Sequence, residues 1–376
     1  RTQSSKRAET RFGKMMSRRL LRPGQITAVR SCSLWLPAVG HVRMLTKGHH
    51  ATHKHEANSR QVPLHFSRSP PKFASCDPEQ LYASTTHVKN LVDGKWDFNL
   101  KSTTVVVDPL NGKPMLTVAN VQHSELAPYV ASLAKCPKYG LHNPIFNVER
   151  YRLYGQVCAN AANFMVQPDV AHFFARLIQR VSPKSYAQAM AEVNVTRAFL
   201  QNFSGDQVRF LARSFGTPGD HMGQGTQGYR WPFGPVAIIT PFNFPLEIPA
   251  LQVLGALFMG NKPLLKSDTK VSIVAEQFLR LLTVSCGVPA EDLMLIHCSG
   301  DVMHKLLLEA RPRNTVFTGS SRVADMLARD LNGKIKVEGA GFDWKILGPL
   351  PTELAVAHSL AMPSALEAAA QHQGDA

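Results

Sequence analysis

A chain of 376 residues is long enough for two or more domains, and 44% apolar residues exclude disorder along its whole length. Its 42 Lys and Arg against 27 Asp and Glu give a net charge of +15, but that excess is local. Residues 1–76 hold 15 basic side chains and only Glu9 and Glu56 as acids, whereas the other 300 carry 27 basic and 25 acidic, which argues against a nucleic-acid footprint on the folded part.

The leader, 1–76, is rich in Arg, Ser and His and broken by short apolar patches such as Leu34-Trp35-Leu36. It reads as a disordered transit peptide, and the excess of Arg over Ser favours the mitochondrial matrix over the chloroplast. Because the text opens on Arg1, it reads as a translated fragment, with Met15-Met16-Ser17-Arg18 as a natural start. A secretory signal needs a longer apolar core than Cys32–Val39, and a basic arm for nucleic acid would interleave aromatics. His41, His49, His50, His53 and His55 lie in this leader without cysteines at ligand spacing, so no metal is expected. The six cysteines (Cys32, Cys76, Cys136, Cys158, Cys286, Cys298) form no CxxC pair and read as reduced, buried thiols of an intracellular protein. No apolar run reaches the roughly 18 residues of a membrane span; Leu246–Met259 comes nearest and contains Glu247 and Gln252.

Past Pro78, Thr103–Asp108 and Met115–Val118 flank the turn residues Pro109-Leu110-Asn111-Gly112-Lys113 and predict a hairpin. Residues 122–210 are mainly helical in pattern, clearest over Val170–Val181 and Ala187–Phe203, with loops at Pro144, Pro168 and Pro183. Gly216–Gly228 reads as a glycine-rich loop. Five short strands then alternate with four helices: Val236–Thr240, Pro245–Met259, Lys262–Lys266, Val271–Cys286, Leu293–His297, Met303–Ala310, Asn314–Thr318, Arg322–Leu331 and Lys334–Val337. This predicts an α/β, Rossmann-like parallel five-stranded sheet with flanking helices, preceded by a mainly helical region. The expected organisation is a leader 1–76, a helical and hairpin part 77–232, a sheet core 233–349 and an Ala-rich tail 350–376.

Ligands of such sheets sit beyond the carboxyl ends of the strands. Those places hold Thr240-Pro241-Phe242-Asn243, Lys266-Ser267-Asp268, Thr318-Gly319-Ser320 and Glu338-Gly339. Taken alone, Asn243 is an oxyanion donor or, more simply, an Asx turn or helix cap. Lys266 is a hold for ribose or phosphate, or a solvated charge. Gly319-Ser320 suits a helix N-terminus facing an anion, although Ala324 breaks the GxGxxG pattern. Glu338 is a general base or a surface acid.

The string Gly234-Pro235-Val236-Ala237-Ile238-Ile239-Thr240-Pro241-Phe242-Asn243-Phe244-Pro245, with Gly260-Asn261-Lys262-Pro263, Lys266 and Phe317-Thr318-Gly319-Ser320, closely resembles the aldehyde dehydrogenase superfamily over about residues 77–349. The text at Arg180–Ala189 and Ala340–Pro349 looks like its plant mitochondrial branch, which acts on L-glutamate γ-semialdehyde. The resemblance implies a cysteine thiolate that attacks a small-molecule aldehyde, an asparagine amide holding the oxyanion, hydride transfer to NAD, and a glutamate that activates water. It assigns the amide to Asn243, the glutamate to Glu338, the ribose lysine to Lys266, cofactor backbone contacts to Ile239, Thr240, Pro241 and Phe242, and the phosphate-side pair to Gly319 and Ser320. Thr269 stands where many relatives carry a glutamate, and Glu338-Gly339-Ala340-Gly341 replaces their Glu-Leu-Gly-Gly.

In that family the nucleophilic cysteine follows the glutamate, in a separate catalytic domain. Here the last cysteine is Cys298, forty residues before Glu338, and Leu350–Ala376 does not resemble the family. The expectation is a chain lacking the catalytic domain, ended by a spliced or frame-shifted tail. Two readings stand: an NAD-dependent aldehyde oxidation in proline catabolism, or a non-catalytic form that retains cofactor binding. Homo-oligomers or association with full-length subunits are implied as partners, with no nucleic acid and no membrane.

Overall fold

The computed structural model describes residues 69–99, 102–339 and 341. The chain divides at Val62/Pro63 into two units, and all described residues lie in the second. The expectations for residues 1–68 of the leader and for the Ala-rich tail fall outside the described residues. Residues 69–76 correct the leader's boundary: rather than disordered, they join the core, because the apolar Phe73 finds a pocket beside Phe173 and Phe174. The Ser75 amide also donates to Gln277 Oε1 at 3.0 Å.

Strands β1 His87–Val88, β2 Asn90–Val92 and β3 Lys95–Asp97 come first, followed by the hairpin β4 Thr103–Val107 and β5 Pro114–Ala119. The hairpin is antiparallel, as the turn residues predict, and β1 joins it in parallel along β5. The Asp108 carboxylate closes the turn by accepting from the Leu110 amide and from Arg180 at 2.7 Å.

Four helices follow: α1 Ala127–Ala134, α2 Glu149–Val166, α3 Pro168–Val181 and α4 Tyr186–Asn202. Pro168, expected in a loop, instead opens α3, where a missing N–H costs nothing. Val170, Phe173, Phe174, Leu177, Ile178 and Val181 form its buried stripe. Ser185 and Gln188 make a reciprocal capping box at the start of α4.

Residues 214–229 correct one reading. They form an exposed antiparallel ribbon, β6 Ser214–Pro218 with β7 Gly225–Tyr229, rather than a loop. The ribbon pairs only with itself and buries neither face, so no apolar alternation marks it in the sequence.

The second half alternates β8 Pro235–Thr240, α5 Glu247–Phe258, β9 Lys262–Ser267, α6 Ser272–Arg280, β10 Met294–Leu295, α7 Gly300–Ala310, β11 Asn314–Gly319, α8 Ser321–Asp330 and β12 Ile335–Gly339. The sheet runs β12-β11-β8-β9-β10-β2-β3. Its first five strands are parallel, as expected, and β2 and β3 add an antiparallel pair. Helix α6 is shorter than its periodic stretch: Asp268 caps a 3-10 turn before it, and Leu281–Cys286 widens into a π-turn that ends at Gly287, φ +91°. Successive strand residues point to opposite faces. Ile238, Leu265 and Leu295 join a core with α2 to α6, whereas Ala237, Leu264, Met294 and Phe317 join another with α1, α7 and α8. The sheet is therefore covered on both sides, as a parallel sheet requires.

Candidate functional site

Numbered within the parallel part, the strand order is 5-4-1-2-3, with β8 as the first strand and β11 as the fourth. The connection changes side between β8 and β11, which makes their carboxyl ends the crevice of a doubly wound sheet. Register brings the expected residues to this one edge: Ile239 is level with Lys266 and with Phe317, Thr240 with Ser267, and Thr318 with Glu338.

Neighbours in a parallel ladder share a face, so the register also sorts these residues. Ile239 and Lys266 face the side packed by α7 and α8; Thr240, Thr318 and Glu338 face the side of α5. Asn243 lies in the turn that leads into α5, and among the described residues its Oδ1 accepts only from the adjacent Phe244 amide, at 3.1 Å. Pro245 has no N–H to close an Asx turn, and Leu246 rather than Asn243 is the N-cap of α5, so the simple Asx or cap reading does not hold. Among the described residues the Asn243 amide nitrogen donates no hydrogen bond, leaving the donor that an oxyanion needs.

Beneath the edge on the α5 side, Thr318 Oγ1 accepts from Gln252 Nε2 at 3.0 Å. The buried Thr240 Oγ1, Ser267 Oγ and Gln252 Oε1 have no hydrogen-bond partner among the described residues. A short polar layer therefore lies under Thr240 and Thr318. Sequence reasoning missed Gln252, because a lone amide on an apolar helix carries no signal of its own.

On the other side the donors suit an anion with adjacent hydroxyls. The Lys266 ammonium makes only a 3.5 Å bond to the Ser267 carbonyl among the described residues. Helix α8 begins after Gly319-Ser320 with no acid in its first turn and no side-chain cap. The other helices that follow strands of the parallel sheet start differently: α5 carries Glu247 in its first turn, α7 carries Asp301, and Asp268 caps the turn before α6. Helix N-termini favour negative charge, so α8 is the start left suited to a phosphate. A side chain at Gly319 would put its Cβ 2.8 Å from Phe317 Cζ, which explains the glycine beside that start. Phe242 is exposed at the mouth of the edge, and Glu338 is also solvent-facing.

The thiols belong elsewhere. Burial pushes Cys76, Cys286 and Cys298 up to about 12 and Cys136 to about 11, and raises Cys158 as well. All five are therefore protonated at neutral pH, and a protonated buried thiol is a poor nucleophile. Among the described residues no three His, Cys, Asp or Glu gather as a metal site, and no helix is long and apolar enough to cross a membrane.

The described chain is a doubly wound sheet that gathers an amide turn, a lysine, a Gly-Ser helix start and an acid on its carboxyl edge. The chain belongs to the aldehyde dehydrogenase family, whose model matches residues 100–343. It is 61% identical over 285 residues to a "Probable aldehyde dehydrogenase" of Linum usitatissimum, covering 76% of this chain and 51% of the relative. Over 278 residues it is likewise 61% identical to "Delta-1-pyrroline-5-carboxylate dehydrogenase 12A1, mitochondrial" of Arabidopsis thaliana, covering 74% and 50%. The chain thus spans about half the length of the relatives it matches. In fold it is similar to an NAD-dependent aldehyde dehydrogenase from Sinorhizobium meliloti, at TM-score 0.58, 23% identity and coverage of 68% of this chain and 50% of that one. An NADP-dependent enzyme of E. coli superimposes at TM-score 0.60 and 22% identity, covering 70% and 54%.

Proposed function

We propose that this chain carries the nicotinamide-dinucleotide-binding part of an NAD-dependent dehydrogenase that oxidises L-glutamate γ-semialdehyde to glutamate in the mitochondrial matrix. The 61% identity to a mitochondrial Δ1-pyrroline-5-carboxylate dehydrogenase supports the substrate and the compartment, and the Arg-rich leader agrees with the latter. The observation that carries the reading is the register, which aligns Ile239, Lys266, Thr318 and Glu338 on one edge beside Asn243.

In this reading Lys266 holds the adenosine ribose, the start of α8 with Gly319 and Ser320 faces the phosphates, and the backbone of Ile239, Thr240, Pro241 and Phe242 lines the nicotinamide side. The dinucleotide supplies the hydride acceptor. Asn243 donates its amide to the developing oxyanion, and Glu338 takes the proton of the hydrolytic water. Residues 77–232 support the sheet core, described over 233–339. Association with further subunits belongs to the same reading, supported by the fully exposed ribbon β6–β7 with Phe215 and Tyr229 in water.

A second reading is favoured by the thiols. All five described cysteines are held protonated by burial, so this chain binds the dinucleotide without turning over the aldehyde.

Fluorescence titration of the 376-residue chain with NADH and NADPH tests both readings. NADH binding is expected to exceed NADPH binding. Lys266→Met is expected to weaken NADH by about tenfold or more, as loss of a charge-assisted bond implies, and Asn243→Ala to leave affinity nearly unchanged. A folded chain blind to NADH defeats the first proposal, and NADH production from the semialdehyde defeats the second.

A further inference from the structure

The turn that carries Asn243 is held from outside. Between the end of β8 and the start of α5 its own local bond is the one from the Phe244 amide to Asn243. Glu192, on α4 and only 3% exposed, reaches across to it. Its Oε1 accepts from the Leu246 amide at 2.8 Å and the Glu247 amide at 3.1 Å. These are amides that a helix start leaves unpaired. Its Oε2 accepts from Lys184 Nζ at 2.9 Å, and that ammonium lies 3.9 Å from the centre of the Phe244 ring. Two side chains from the α3–α4 region therefore grip residues 244, 246 and 247 at once.

Stability alone does not explain the pair. Side-chain exposures of 8% for Lys184 and 1% for Glu192 mean that both charges are taken out of water. Replacing such a pair by apolar groups of like volume is often neutral or stabilising. What an apolar pair does not supply is an acceptor for two amides and a cation on one aromatic face, and both contacts fall within four residues of Asn243.

We propose that Glu192 and Lys184 are positioning residues: they hold the 240–247 turn in the one conformation that presents its backbone to the dinucleotide and the Asn243 amide to the aldehyde. The inference rests on the dinucleotide reading above. Neither residue touches the reacting atoms; each acts through the turn.

Two double variants of the full chain isolate the grip. Lys184→Met with Glu192→Gln removes both charges and keeps an oxygen for the Leu246 and Glu247 amides. Lys184→Met with Glu192→Leu removes the oxygen too, at nearly the same volume. The Met/Leu variant is expected to keep its urea midpoint, to lose hydrogen-exchange protection at Leu246 and Glu247, and to bind NADH about tenfold more weakly. The Met/Gln variant is expected to recover most of both readouts. Glu79→Gln, which breaks the exposed pair with Arg176, serves as a control with unchanged NADH affinity. Equal NADH affinity and equal protection at 246 and 247 in the two double variants overturn the proposal, as does an affinity loss that merely tracks the urea midpoint. A wild-type chain that ignores NADH sinks the dinucleotide reading instead, and the amide protection still decides whether the grip exists.

Discussion

Gly260 shows how a motif residue with no chemistry can still be indispensable. Its φ is +83°, and a Cβ there would overlap the carbonyl oxygen of His142. Its own carbonyl accepts from the Leu141 amide at 2.7 Å, while Asn261 Oδ1 takes the amides of Phe233 and Gly234. The Gly-Asn-Lys-Pro string therefore builds the corner that starts β8 level with β9. Gly260→Ala meets a left-handed backbone and a backbone clash together, so a loss of at least about 3 kcal/mol is expected from urea unfolding. A loss below about 1 kcal/mol would contradict this account. Asn243, Lys266 and Glu338 stood out as candidates in the sequence because each lies at or within three residues of the end of a strand-like run. Glu192 was not, since its partners at Leu246 and Glu247 lie 54 and 55 residues further along the chain. Pairing at that range leaves no periodic trace.

At the scale of elements, legibility followed burial. Strands β8, β9 and β11 are covered on both faces and read as short continuous apolar runs. Strands β1, β2 and β3 have only two or three residues each, too few for an alternating pattern, so the antiparallel extension of the sheet went unseen. The ribbon β6–β7 is exposed at all ten strand positions, and its glycines imitate a loop. The same contrast predicts energetics. Phe174 on α3 is fully buried and stacks near Phe73, with ring centres 5.9 Å apart. Phe215 on β6 is 52% exposed and touches Arg230 across its ring face. Phe174→Ala is expected to cost about 3–5 kcal/mol, and Phe215→Ala less than about 1 kcal/mol. Comparable losses in the two would mean that the ribbon is part of the folding unit rather than an appendage.

For the molecule as a whole, pH couples to stability through three buried groups that pull in opposite directions. Burial lowers His142 to about 4, although its Nε2 contacts the Phe258 carbonyl at 3.0 Å. Burial also lowers His297 to about 3, with the Lys266 charge adding to the effect. Both histidines are held neutral in the fold, whereas the unfolded chain protonates them near pH 6.5. Their stabilisation is complete above that pH and is lost as pH falls toward 4 and 3. Glu276 behaves oppositely. It is buried against Arg280, and burial raises it to about 7. The fold keeps its proton where the unfolded chain releases it, so this contribution is present below pH 4.5 and is lost as pH rises through 7. Between pH 6.5 and 5 two groups therefore weaken the fold on acidification while one strengthens it. Each full proton is worth about 1.4 kcal/mol per pH unit, so the net expectation is a loss of roughly 2 kcal/mol. Urea midpoints at pH 6.5 and 5 measure that loss directly. Glu276→Gln removes the opposing contribution and should roughly double the slope, whatever it does to the absolute stability. A slope left unchanged by this substitution would show that Glu276 is ionised across the whole window, with Arg280 outweighing the cost of burial.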